Sequence, residues 1–117
     1  MMEIKRVPKP WGHELWWAHT EHYVGKILVV KAGHKLSLQY HEVKDETVYL
    51  HSGEAVLSVE EGGRMVERRL RPGDAYRIRP GIRHRIQAIQ DSEIFEVSTP
   101  QVDDVVRLDD DYGRKGR

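Results

Sequence analysis

The chain has 117 residues with 19 basic and 19 acidic side chains, so its formal net charge at pH 7 is zero, and it has no cysteine. This length suits one domain over 1–117. The interspersed charge argues against a nucleic-acid face, and the lack of thiols excludes disulfides and thiolate ligands. No run is apolar enough for a signal peptide or a membrane span, so a cytoplasmic protein with neither nucleic-acid nor membrane partners is expected.

Residues 1–22 read as an N-terminal arm. Pro8-Lys9-Pro10-Trp11-Gly12 makes an irregular entry, while Trp11, Trp16 and Trp17 can cover apolar surface or stack on a ring. From residue 23 onward, short apolar or alternating runs bounded by turn residues predict eight strands, at 23–32, 36–41, 46–51, 55–60, 65–70, 74–79, 84–89 and 93–98. Glu61-Gly62-Gly63-Arg64 is the clearest hairpin turn. Residues 99–117 read as a tail in which 102–107 can form a turn of helix. The whole is an all-β pattern with its barrel core at 23–98.

Within that pattern, four residues point to metal chemistry. Gln39 and His41 lie two apart in Leu36-Ser37-Leu38-Gln39-Tyr40-His41, so on a strand they share one face. Glu46 follows a charged turn, and His84 follows Arg79-Pro80-Gly81, a tight turn that aims a second imidazole from a distant hairpin. Two imidazoles, a carboxylate and an amide oxygen make a donor set for a divalent ion, with zinc as first choice and manganese, iron or nickel as others. His13, His19, His22, His34 and His51 have no partner at ligand spacing and read as surface or loop residues.

Parity extends the argument. With Gln39 and His41 inward, Leu36, Leu38 and Tyr40 face outward and need a cover, either the Trp-rich arm or a second subunit, so a homodimer is expected. In the strand of His84 the inward set is His84, Ile86 and Ala88.

Gly33, Gly53, Gly73 and Gly81 punctuate the segments around these four residues. The arrangement resembles the two motifs of the cupins, which implies a small double-stranded β-helix, a jelly-roll barrel with a metal ion inside. Gln39 stands where most cupins have a first histidine, which shifts the expected chemistry from dioxygen activation to polarising a sugar oxygen. Within the cupins, the run ending in Gln39-Tyr40-His41, together with Glu46, resembles the zinc motif of mannose-6-phosphate isomerases. Pro10-Trp11-Gly12, Glu96-Val97, Asp104-Val105-Val106-Arg107 and Asp111-Tyr112-Gly113-Arg114 resemble the isomerase domain that closes the type II bifunctional isomerase and guanylyltransferase proteins. Guanylyltransfer itself is not expected of this chain.

That resemblance implies interconversion of an aldose and a ketose, as small-molecule sugar phosphates, through a metal-stabilised enediol or enediolate. Gln39, His41, Glu46 and His84 would hold the ion. Arg114, able to grip an oxyanion with two N–H groups, would act with Glu96 and Lys31 in catalysis, and Arg107, Trp11 and Ser37 would contact substrate. Residues 42–48 depart from the type II pattern. A non-catalytic cupin that binds a sugar or nucleotide-sugar therefore stays open, as does a small metal-dependent oxygenase or lyase.

Overall fold

Period-two burial organises the chain into strands, described here from a computed structural model that covers residues 1–116; Arg117, the last residue of the expected domain, lies outside them. The strands are β1 (Lys5–Lys9), β2 (Gly12–His19), β3 (Val24–Val30), β4 (Leu38–Tyr40), β5 (Glu46–Ser52), β6 (Ala55–Glu61), β7 (Arg64–Leu70), β8 (Ala75–Ile78), β9 (His84–Ala88), β10 (Ser92–Ser98) and β11 (Val106–Asp109). All pairings are antiparallel. One sheet runs β1-β2-β3-β10-β5-β8 and the other β11-β4-β9-β6-β7. This is the all-β jelly-roll expected of the sequence, and no helix among the described residues is long and apolar enough to cross a membrane.

All eight expected strands form, with ends moved by a residue or two. Two expectations at the chain ends do not hold. The stretch around Pro8 is not an irregular entry, because β1 and β2 form a hairpin in which Pro8 pairs with His13. Pro8 is tolerated because β1 is an edge strand, where a missing N–H breaks no ladder. The turn of helix at 102–107 is replaced by a turn at Val102 and Asp103 and then by β11, whose backbone groups pair with β4.

The inner face changes character along each strand. In β3 the inward residues are Lys26, Leu28 and Val30, and in β5 they are Glu46, Val48 and Leu50. In β9 they are His84, Ile86 and Ala88, as parity predicted. The apolar members join Trp11, Leu57 and Ile94 in one core, and the ionisable members gather beyond it. Apolar burial of this kind contributes about 25 cal/mol per Å2, which offsets the cost of ordering the charged end.

Leu36 departs from the parity argument. It precedes β4, which begins only at Leu38, so alternation does not apply to it, and its side chain packs against the core instead of facing outward. Large apolar side chains are instead exposed on the outer face of the six-stranded sheet. Tyr49 and Val97 are examples, and Trp17 lies over Gly25.

Gly81 links the fold to the site. Its φ of 82° lies in the left-handed region that favours glycine. Its N–H donates to the carbonyl of His41 at 2.6 Å, tying the turn before β9 to the end of the β4 segment.

Candidate metal centre and its cavity

Three strand ends bring His41, Glu46 and His84 together, each about 3 % exposed. Glu46 opens β5, His84 opens β9, and His41 follows β4. Gln39 and His84 are direct cross-strand partners, which brings the second histidine beside the first pair. The Nε2 atoms of His41 and His84 each lie 3.2 Å from Glu46 Oε1. The ligand atoms of the three residues are all within 4.8 Å of one another, an arrangement that could hold a metal ion.

The outer nitrogens decide the chemistry. His41 Nδ1 faces the carbonyl of Asp104 at 2.5 Å, and His84 Nδ1 faces the carbonyl of Ile82 at 2.9 Å. A carbonyl only accepts, so each Nδ1 carries a proton and each Nε2 is the nitrogen turned to Glu46, donating to it when protonated and offering a lone pair to an ion when not. Both Nε2 atoms thus converge on one carboxylate oxygen. Positive charge, either a divalent ion or ring protons, satisfies the three groups at once. Metal bonds of about 2.0–2.2 Å set neighbouring donors about 3.0–3.5 Å apart, so the observed spacing fits an ion.

A second layer of charge surrounds this group. Lys44 Nζ lies 3.3 Å from Glu46 Oε2 and 3.3 Å from Glu96 Oε2, with all three side chains buried. Burial alone would lower the Lys44 ammonium, but Glu96 and Glu46 outweigh it and raise it. Burial also pushes Glu46 up, yet the short contacts from His41 and His84 and the charge on Lys44 hold it well below the usual carboxylate range. Glu96 goes the other way. Burial first, and then the charge on Glu46, push it up to about 8 against the pull of Lys44.

The cluster opens on a cavity of about 420 Å3, lined by Gln39, His41, Lys44 and Glu96 on the polar side and by Trp11, Leu28 and Leu36 on the apolar side. That is the size of a small-molecule site. At the far wall, Lys26 pairs with Glu14 at 3.3 Å and lies 4.3 Å from the centre of the Trp16 ring, whose N–H donates to Glu14.

Of the residues expected to act here, Trp11, Ser37, Gln39, Glu96, Arg107 and Arg114 all line the cavity. Gln39 Oε1 accepts the Ser37 hydroxyl at 2.7 Å. Arg114 is held by Asp110 through its backbone N–H and its guanidinium. Lys31 is exposed and does not line the cavity, because the inward parity of Lys26, Leu28 and Val30 turns it outward. His34 lies in the loop between β3 and β4, with its Nδ1 2.7 Å from the Tyr112 hydroxyl.

Four contributors escaped the sequence reading. Lys44 sits in a charged stretch that reads as a solvated turn, and Glu14 and Lys26 look like ordinary strand polar residues. Their alternation with Leu28 and Val30 was the available signal for Lys26. Asp104 is the other omission, and only its contact with His41 reveals it.

The family profile described as a Cupin domain matches residues 26–97. No curated protein matches the sequence. Among solved structures the chain is similar to KdgF from Halomonas sp., with 25% identity, a TM-score of 0.73, and coverage of 87% of this chain and 89% of that one. It is also similar to oxalate decarboxylase from Bacillus subtilis, with 19% identity and a TM-score of 0.77 over 91% of this chain. Another structure of that protein, concerned with its Mn(II) centres, gives 18% identity and a TM-score of 0.76. The chain spans 30% of the oxalate decarboxylase chain, and at these identities that likeness is one of fold alone.

Proposed function

The chain belongs to the cupin family, and on that footing we propose that it is a metal-dependent sugar-phosphate isomerase of the mannose-6-phosphate type, interconverting an aldose and a ketose. The observation that carries this reading is the convergence of two imidazole Nε2 atoms on Glu46 beside a cavity of small-molecule size. His41, Glu46 and His84 are the proposed ligands, with Gln39 as a fourth. Zinc is the first choice, and manganese the next, since Mn(II) centres occur in a protein of similar fold.

When bound, the ion supplies Lewis acidity to two adjacent sugar oxygens. The rest falls to side chains. Isomerisation takes a proton from C2, passes through an enediol and returns a proton to C1. Glu96 is the proposed carrier, because it is buried at the cavity wall and poised at about 8 to hold or release a proton near neutral pH. Lys44 fixes the Glu96 carboxylate at 3.3 Å and keeps it from turning away. Ser37 orients the Gln39 amide, and Trp11 keeps water from one wall. We also propose a homodimer, with the exposed Tyr49 and Val97 on the face it would cover.

The test begins with metal content by mass spectrometry on protein purified without added ions. Fructose-6-phosphate formation from mannose-6-phosphate is then followed with and without chelator. Turnover that chelator abolishes and zinc or manganese restores supports the reading. Metal-replete protein that binds the sugar phosphate without turnover is a binding module instead, and one that consumes oxygen is an oxygenase.

A further inference from the structure

The cavity carries an excess of positive charge, and most of it is already matched. Lys26 is paired with Glu14, Lys44 with Glu46 and Glu96, and Arg114 with Asp110. Lys5 Nζ lies 4.9 Å from the centre of the Trp16 ring. Besides Lys5, two cations have no ion pair, and the exposed Asp103 is the one lining carboxylate that forms none among the described residues. Lys9 and Arg107 line the same cavity, and neither forms an ion pair among the described residues. Arg107 Nε is buried with no hydrogen-bond partner, which costs free energy unless something anionic meets it.

Their positions on the fold place them at a defined distance from the cluster. Arg107 in β11 is the direct partner of Gln39 in β4, and Gln39 is the direct partner of His84 in β9. Direct cross-strand partners share a face and stand about 5 Å apart, so the row from Arg107 to His84 spans roughly 10 Å. Lys9 enters from the opposite sheet, at the hairpin turn where it pairs with Gly12. Burial lowers the Lys9 ammonium, Glu14 opposes this, and Lys26, Arg107 and Arg114 add to the lowering. Burial and the neighbouring cations leave both Lys9 and Arg107 lowered, so Glu14 and Asp110 offset the crowding of these cations only in part.

We infer that Lys9 and Arg107 form an oxyanion subsite that holds the charged end group of the substrate, a phosphate or a carboxylate, while its other end reaches the His41, Glu46 and His84 cluster. The reach to the cluster rests on the isomerase reading; the anion-binding pair stands apart from it. A guanidinium offers two N–H groups to one oxyanion, and an ammonium opposite it closes the clamp. A guanidinium and an ammonium facing one group suit the dianion of a phosphate monoester better than a single carboxylate.

Isothermal titration of the full chain with inorganic phosphate, and separately with glucuronate, tests the subsite; chelator is present throughout so that neither probe can bind through a metal. Wild type and the exposed-site control Arg64→Gln should bind at least one probe. Lys9→Met and Arg107→Met should each weaken that binding at least tenfold with an unchanged thermal midpoint, and Arg107→Lys should recover part of it. Phosphate binding alone identifies a phosphate monoester and glucuronate binding alone a sugar acid. No binding to wild type, or variants that bind as wild type does, overturns the inference. Should Arg107→Met not fold, Lys9→Met at the hairpin turn decides the matter. Phosphate binding that needs Lys9 and Arg107 in a protein that takes up no metal retires the isomerase and leaves the subsite standing.

Discussion

The backbone carbonyl of Asp104 accepts the Nδ1–H of His41 at 2.5 Å, while the carboxylate of the same residue accepts the backbone N–H groups of Glu42, Val43 and Lys44. Asp104, in the segment just before β11, thus aims an imidazole and shapes the loop that leads to Glu46. Burial pushes the Asp104 carboxyl up, but the three N–H groups outweigh it and hold it below the usual range.

Asp104→Ala removes those three acceptor contacts and leaves the carbonyl. Charge-assisted bonds of this kind, half exposed, should cost about 2 kcal/mol of stability, and loosening a ligand's outer support should weaken metal binding about tenfold. Thermal denaturation and zinc titration measure the two effects. Asp104→Asn keeps one acceptor oxygen and should fall between. Unchanged zinc affinity in Asp104→Ala would mean that the carbonyl alone aims His41.

Lys44→Met strands Glu46 and Glu96 in a buried setting without their shared cation. Loss of one partner of a buried ion cluster costs about 3 kcal/mol or more. Adding Glu96→Gln removes the carboxyl that burial and Glu46 already push toward its protonated form, and should recover part of the loss. A double-mutant cycle in urea reads the coupling, and additive effects would show that Lys44 and Glu96 do not interact in solution.

The two glycines at the ends of the motif segments should respond differently to alanine. At Gly81 an added Cβ meets nothing within 4 Å, so only the backbone penalty at φ 82° applies, about 1–2 kcal/mol. At Gly53 it would lie 2.3 Å from the Asp91 carbonyl oxygen, a backbone atom that cannot move aside cheaply. Gly81→Ala is expected to fold with a lowered melting temperature and Gly53→Ala to be recovered mostly insoluble or unfolded. Equal melting temperatures would contradict the close approach at Gly53.

Asp110 anchors the last segment. Its hydrogen bonds from the Arg114 side chain, opposed by burial and helped by the Arg114 backbone N–H, hold its carboxyl below the usual value. A depressed carboxylate contributes fully above its unfolded value, about pH 4, and its contribution fades as pH falls through the lower folded value. The bridge between Arg107 and Gly116 should therefore loosen at pH 3 and not at pH 5. Hydrogen exchange at the Gly116 N–H, with Asp110→Asn as the permanently uncharged comparison, follows this directly.

Much of the architecture was legible because a strand's side chains alternate. Leu28 and Val30, Val48 and Leu50, Ile86 and Ala88 each stand two apart, and the same step carries Gln39 to His41. The hairpin at 5–19 was hidden for a local reason. Pro8, Pro10 and Gly12 break the alternation, and in β2 the inward set is Glu14, Trp16 and Ala18 while the apolar Trp17 faces out. Leu36 misled because a period of two was carried two residues beyond the strand.

By itself the sequence determined where most strands run, which of their faces turn inward, and that His41, Glu46 and His84 stand at inward positions near strand ends. Those are short-range matters, set by the geometry of one extended chain. Only the tertiary structure decided that Lys44 is buried between two carboxylates, that Asp104 reaches back to His41, and that Lys9 and Arg107 face one cavity without an ion pair among the described residues. The physical reason is that a charged side chain looks solvated until its partners are known. Those partners lie tens of residues away along the chain, brought together only when the two sheets pack.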